Sequence, residues 1–391
     1  MRPLSTELRN RLAKAIQGAR REAEAGANKT LEMLAVGQPK PHPSMAGGQK
    51  ALRRRLRAHG RQLGDLRDPQ SGGQTIAHLI REIAYEHWHR MLFARFLAEN
   101  QLLIEPETGV AVSMAECEEL AREQDKDPWT LGCFAEKMLL RIFRADDPAL
   151  AVTLPPETRQ ALERLLESLP AVVFIAGDAL GWVYQFWQAE SKEKVNRSGI
   201  KIGPDALPAV TQLFTEHYMV QFLLHSTLGA WWAGKLLADR PELSESATSE
   251  EELRRACALS GYGEWTYLRF IREDEQSPWR PAAGRFPDWP RRAAEITLLD
   301  PCCGSGHFLV EALRILAPMR MAEEDLTARE ACDAVLRDNL FGLELDERCT
   351  QIAAFNLALA AWTYPGAGGY RPLPVLNIAC SGLSVGAKEE E

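Results

Sequence analysis

No run of this 391-residue chain approaches the ~18 consecutive apolar residues of a membrane-spanning helix. Its first residues, Met1 to Lys14, are charged and lack the apolar core of a secretory signal. The eight cysteines are scattered with no Cys-x-x-Cys pair, which suits reduced thiols in a cytoplasm rather than a disulfide framework. Cys302 and Cys303 are neighbours, but two adjacent cysteines cannot by themselves supply a zinc site, so the chain is expected to be metal-free. A surplus of positive charge is missing too: the formal net charge is −8, which does not advertise nucleic acid. What is present is ordinary for a soluble protein, 46% apolar and 26% charged, in a chain long enough for two or three domains.

The distribution of charge says more than its sum. From Met1 to Asp65 there are 14 Lys and Arg against 5 Asp and Glu, a local balance of +9. Arg53, Arg54, Arg55, Arg57 and Arg61 are its densest part. They suit phosphate contacts, and equally a solvated helix face or a docking surface. Two helices are expected before residue 70, joined by a loose Gly/Pro stretch from about Gly37 to Gly48. Thr75 to Asn100 has the clearest helical period, with Ile76, Leu79, Ile83, Trp88, Leu92 and Phe96 on one side. His78, Glu82, Glu86 and His89 form a stripe roughly opposite the apolar centre, which reads as a solvated polar face rather than a metal site.

Helices are also expected over Glu136–Phe143, Pro156–Leu169 and Gly177–Ala189. Trp182, Tyr184, Phe186 and Trp187 in the last read as core rather than as a base-stacking platform. The 190s read as a linker. The expected division is a helical domain over 1–200, then an α/β domain over 205–391 with an insertion at about 235–290.

The informative stretch is Ile296-Thr-Leu-Leu-Asp-Pro-Cys-Cys-Gly-Ser-Gly-His-Phe-Leu-Val310. Ile296 to Leu299 read as a short buried strand, Asp300 and Pro301 end it, and helical periodicity starts at His307. A strand passing through a glycine turn into a helix cradles ligands, because glycine lets the backbone approach closely and the free N–H groups attract negative charge. The third glycine of a dinucleotide fingerprint is absent, Leu309 standing in its place, and no lysine of a P-loop lies here. A second strand, Leu340 to Leu345, ends in Glu344 and Asp346, and a third runs from Pro374 to Cys380. An acid at the end of a second strand is where ribose hydroxyls are held. Upstream, Thr215 is a good N-cap for the helix carrying Tyr218, Val220, Phe222, Leu223 and Leu224.

Asp-Pro-x-Cys-Gly-Ser-Gly-His-Phe resembles the first motif of the class I S-adenosylmethionine-dependent methyltransferases, and more narrowly the amino-methylating DNA adenine enzymes. The Phe214-Thr215 helix ahead of the glycine loop resembles the motif that precedes it in the permuted members of that group. The resemblance implies an incomplete Rossmann-like methyltransferase domain. It implies cofactor contacts from Gln212, Phe214 and Thr215; from Asp300, Pro301, Cys303, Gly304, Ser305, Gly306, His307 and Phe308 of the loop; and from Glu344, the ribose anchor, with Leu345 beside the adenine. Many relatives carry an Asp at the end of the third strand, where this chain has the uncharged Ser381.

That group takes the amino hydrogens of a flipped-out adenine on an Asn/Asp-Pro-Pro-Tyr/Phe tetrapeptide, and none occurs in these 391 residues. With the helical amino half, the resemblance is closest to the large adenine methyltransferases of phage-defence systems (the BREX and DISARM types) and to fused type IIG restriction enzymes. The expectation is the amino-terminal portion of such an enzyme: cytoplasmic, acting on double-stranded DNA, with three strands leaving an unpaired apolar edge. Alone it is expected to be inactive unless a second chain or another defence-system subunit completes it. The alternative is a non-catalytic DNA- or partner-binding subunit of a defence complex.

Overall fold

The computed structural model describes residues 3–105, 107–123, 147–199, 210, 214–284 and 286–381. The chain folds as two units, residues 1–193 and 194–391.

The first unit is helical: α1 (Thr6–Met33), α2 (Gly47–Gln62), α3 (Ala77–Glu99), α4 (Met114–Glu123), α5 (Pro156–Glu167) and α6, Ala179–Ser198, whose last turn enters the second unit. The oxygen of Ser5 caps α1 by accepting the Leu8 N–H at 3.3 Å. Ala15, Ala19, Ala23 and Ala27 make a buried small-residue stripe on α1. Contact there is so close that a Cβ on Gly26 would lie 2.5 Å from Thr158 on α5.

Two readings of this half change. Glu82, Glu86 and His89 are buried, at 8%, 8% and 2% exposure. The His89 ring stacks on Tyr85 at 3.7 Å and meets Trp187 edge-on at 5.0 Å. The period located the apolar centre of α3, but α3 is covered on both sides, so its polar stripe is not solvated. The expected linker in the 190s is the continuation of α6. Trp182, Tyr184 and Trp187 are core, as the spacing suggested. The helix expected over Glu136–Phe143 lies outside the described residues.

In the second unit α7 (His217–Leu224) runs through one π turn, His225–Gly229, into α8 (Ala230–Asp239). The stretch read as an insertion holds α9 (Pro241–Ser246), α10 (Glu250–Ala256) and an antiparallel pair, β1 (Phe270–Ile271) with β2 (Arg280–Pro281). Next come β3 (Leu298–Asp300), α11 (His307–Glu324), α12 (Ala328–Asp338), β4 (Leu340–Glu344), α13 (Glu347–Trp362) and β5 (Asn377–Cys380). The three strands are parallel in the order β3-β4-β5, with Asp300 opposite Gly342 and Glu344 opposite Cys380. Parallel neighbours need crossovers, and helices supply them. On one sheet face Leu299 and Leu343 stand exposed, at 57% and 37%, so the bare apolar surface lies on a face as well as at strand edges.

An interior proline ordinarily breaks a helix, yet α11 runs through Pro318 to Glu324. Leu316, Ala317 and Met319 around it are fully buried. Burial of each large side chain contributes about 1.5–3 kcal/mol, which offsets the roughly 3 kcal/mol penalty of an interior proline.

Arg371 locks the loop before β5. Its guanidinium donates to Asp333 on α12 at 2.6 and 3.0 Å, and its own carbonyl accepts the Trp362 indole N–H at 2.9 Å. Arg371 is 3% exposed. Arg371→Met is expected to cost about 2–3 kcal/mol, below the range for a fully buried pair because Asp333 reaches solvent. The midpoint of urea unfolding measures it, and an unchanged midpoint refutes it.

Candidate functional site

The glycine loop joins the end of β3 to the start of α11, and its shape follows from two left-handed residues, Gly304 at φ 51° and Gly306 at φ 76°. Gly306 is the N-cap of α11 and lies against α13, where an added Cβ would sit 3.1 Å from the Ala353 Cα. Gly304 faces the other way: a Cβ there would meet nothing within 4 Å. One glycine closes the fold and the other leaves open space for a ligand. Asn356 on α13 donates to the Ser305 carbonyl at 3.0 Å and ties the loop down.

Two carboxylates border the loop. Asp300 is half-buried and its Oδ1 accepts the Cys302 N–H at 3.1 Å. Burial raises its pKa above the usual carboxylate range; the Cys302 bond opposes this and the charge of Glu344 adds to it. Glu344, 8% exposed, accepts three backbone N–H groups: Gly304 at 2.8 Å, Leu345 at 2.8 Å and Asp346 at 3.3 Å. A carboxylate has about four acceptor sites, so these three leave room for one further donor.

The other expected cofactor residues fall into two groups. Pro301 is exposed, Ser305, Phe308 and Leu345 are half-buried around the loop, and Ser381 is exposed with its N–H on the Glu344 carbonyl at 2.8 Å. Cys303 and His307 turn inward. The Cys303 sulfur lies 3.2 Å from where a Gly342 Cβ would be, and burial, then Asp300 and Glu344, push its thiol up to about 12. At that value it is no nucleophile. His307, 5% exposed, packs under Phe214 at 4.8 Å between ring centres, and its Nε2 lies 3.4 Å from the His217 Nδ1. Thr215 is half-buried but not the cap; Glu216 holds that position without a side-chain capping bond to the helix. Gln212 lies outside the described residues.

Behind the loop is a polar chain that sequence reasoning missed. The Tyr267 N–H donates to the His225 Nδ1 at 3.2 Å, which assigns the proton to Nε2. The His225 Nε2 is 2.8 Å from the Tyr262 hydroxyl, which donates to Glu311 at 3.0 Å. Gln221 and Arg314 complete Glu311, at 3.3 and 3.2 Å. Burial lowers the pKa of His225 to about 4, so it is neutral, as the bond directions require. Burial works against ionised Glu311, but Arg314, His217, Tyr262 and Gln221 together hold its pKa below the ordinary value. The π turn at His225 was the only possible hint, and it is not legible without coordinates. Gly342 did carry a signal, since a glycine inside a strand marks a close approach.

The arginine cluster divides. Arg53 and Arg57 are 6% and 9% exposed and donate to the carbonyls of Ala35, Val36, Gln38 and Gly72. They hold the loop between α1 and α2 and are out of reach of a phosphate. Arg54, Arg55 and Arg61 are exposed.

With this geometry in place, the chain finds its relatives. Residues 283–365 match the family model of the MmeI DNA-methyltransferase domain, a segment that contains the glycine loop and Glu344. In class, the second unit is thus methyltransferase-like. More particularly, the chain is 25% identical over 360 residues to the adenine-specific methyltransferase PglX of Lacticaseibacillus casei, covering 81% of this chain and 28% of that protein. It is 29% identical over 224 residues to the adenine-specific methyltransferase BrxX of Escherichia coli, covering 56% of this chain and 16% of that protein. A cryo-electron microscopy structure of a DrdV–DNA complex gives a looser likeness, with a TM-score of 0.38 and 13% identity over 96% of this chain and 26% of that one. The resemblance read from the sequence, to BREX PglX-like and type IIG methyltransferases, is borne out. Among the described residues, no helix is long and apolar enough to cross a membrane.

Proposed function

We propose that this chain carries the S-adenosylmethionine-binding part of a DNA adenine N6-methyltransferase of a phage-defence or restriction system. The observation that carries the reading is the open glycine loop between Asp300 and Glu344, anchored from below by Asn356. The cofactor supplies a methyl group on a sulfonium. The residues fit it: open space at Gly304 admits its methionine half, Asp300 receives the ammonium end, and the free acceptor of Glu344 takes one ribose hydroxyl. The domain layout we assign is helical over 1–200 and Rossmann-like over 205–391. Arg54, Arg55 and Arg61 are the exposed cations offered to DNA phosphate. Without the Asn/Asp-Pro-Pro-Tyr/Phe tetrapeptide, the chain transfers no methyl group to DNA by itself.

Calorimetric titration with S-adenosylmethionine tests this. Saturable binding is expected in the chain as it stands, and its loss in a folded Asp300→Ala, Glu344→Ala variant. A well-folded chain that ignores the cofactor, or equal heats from the variant, removes the proposed site. Methylation of plasmid adenine by the purified chain overturns the inactivity.

A further inference from the structure

We propose a divalent-metal site in the first unit, built by His59 near the end of α2, Glu82 on α3 and Asp147 at the start of the short helical turn Pro148–Ala151. One ligand atom from each of the three lies within 4.8 Å of the others. All three side chains sit away from solvent: His59 and Asp147 are 14% and 3% exposed, and Glu82 is 8% exposed.

The geometry separates a metal site from an ion pair. The His59 Nε2 is buried and makes no hydrogen bond, although the Asp147 Oδ1 lies 3.4 Å away. A charge-assisted N–H···O bond closes to about 2.7–2.9 Å with the hydrogen on the line between the atoms. Two ligands of one tetrahedral zinc, each about 2.0–2.2 Å from the ion, stand about 3.3–3.6 Å apart with no hydrogen between them. The His59–Asp147 spacing is of the second kind, and Glu82 offers its oxygen within 4.8 Å of both. Asp147 is already oriented, since its Oδ1 accepts the Ala149 N–H at 2.8 Å. Such an outer bond is how ligating carboxylates are held.

One imidazole nitrogen and two carboxylate oxygens favour a first-row divalent ion, zinc foremost, over magnesium or calcium, which take mainly oxygen. Three protein ligands leave a position open for water. The ion would clip α2, α3 and the turn at residue 147 together, a site that the cysteine pattern could not disclose. It is independent of the cofactor proposal, being composed entirely of residues in the first unit.

The test is titration of the chelator-stripped protein with zinc chloride. One zinc per chain is expected, with a melting temperature raised by about 5 °C when zinc is a hundredfold above its Kd. His59→Gln and Asp147→Asn are each expected to weaken binding at least tenfold. Cobalt in place of zinc should show ligand-field bands with no thiolate charge-transfer absorption, which excludes the cysteines as the ligands. If His59→Gln fails to fold, Asp147→Asn and Glu82→Gln carry the comparison, with circular dichroism as the check of folding. Zinc affinity equal in the wild-type chain and folded variants, or no zinc-dependent melting shift, overturns the site and leaves His59 as a neighbour of Asp147 with no ion between them.

Discussion

Gly306→Ala is expected to destabilise the second unit by about 2–5 kcal/mol, while Gly304→Ala, two residues away, costs about 1–2 kcal/mol. Both glycines are left-handed, at φ 76° and 51°, so each substitution incurs the conformational penalty of a side chain there. Only at Gly306 does the new methyl meet α13, 3.1 Å from the Cα and Cβ of Ala353 and 3.3 Å from its carbonyl oxygen. Those contacts are mostly backbone, which cannot rotate aside, so overpacking adds to the strain. Cofactor binding should rank the other way relative to stability. Gly304→Ala leaves a folded unit whose methyl projects into the open space, so its affinity for S-adenosylmethionine falls more than its stability does. Urea midpoints and titration heats on the two variants give the answer. Equal unfolding costs would mean that α13 yields, and undiminished affinity in Gly304→Ala would place the ligand elsewhere.

The second large effect is with pH. His225 and His307 are neutral in the folded unit, their pKa values lowered from 6.5 to about 4, chiefly by burial. At His225 the charge of Glu311 opposes that lowering and His217 reinforces it; at His307 the neighbours His217 and Arg314 reinforce it and Glu311 opposes it. An unfolded histidine takes up its proton near pH 6.5, so the stability these two provide is whole above that pH and is lost as pH falls towards 4. At pH 5 the loss is about 2 kcal/mol for each. Asp300 acts in the opposite sense, since its raised pKa makes its burial less costly as it protonates. That offset reduces the net loss, which the two histidines dominate. His87 in the first unit, also lowered to about 4 by burial, shifts the same way. The urea midpoint should drop between pH 7.5 and 5, and His307→Gln should remove part of the drop. Midpoints that coincide at the two pH values would contradict the burial of both rings.

What the sequence determined is local. The strand reaching Asp300, the glycine turn, the helix from His307 and the strand ending at Glu344 stand where hydrophobic period and turn chemistry placed them, but the first strand is not buried as expected, since Leu299 is 57% exposed. Those signals act over a few residues and need no partner to be read. Helix ends were less legible: packing carries α11 through Pro318, while α6 runs on through the 190s with its side chains there largely exposed.

The tertiary structure decided everything that depends on residues far apart in the chain. Only folding brings the Gly304 N–H onto Glu344 and leaves that carboxylate one free acceptor. Covering α3 on both sides turned a polar stripe into buried groups. Arg53 and Arg57 look like phosphate binders in a line of text, yet they satisfy the carbonyls of a loop up to 21 residues away. The chain from His225 through Tyr262 to Glu311, and the meeting of His59, Glu82 and Asp147, have no sequence period at all. The physical reason is common to them. A buried polar group must find a partner wherever the packed chain provides one, and composition and spacing do not record where that is.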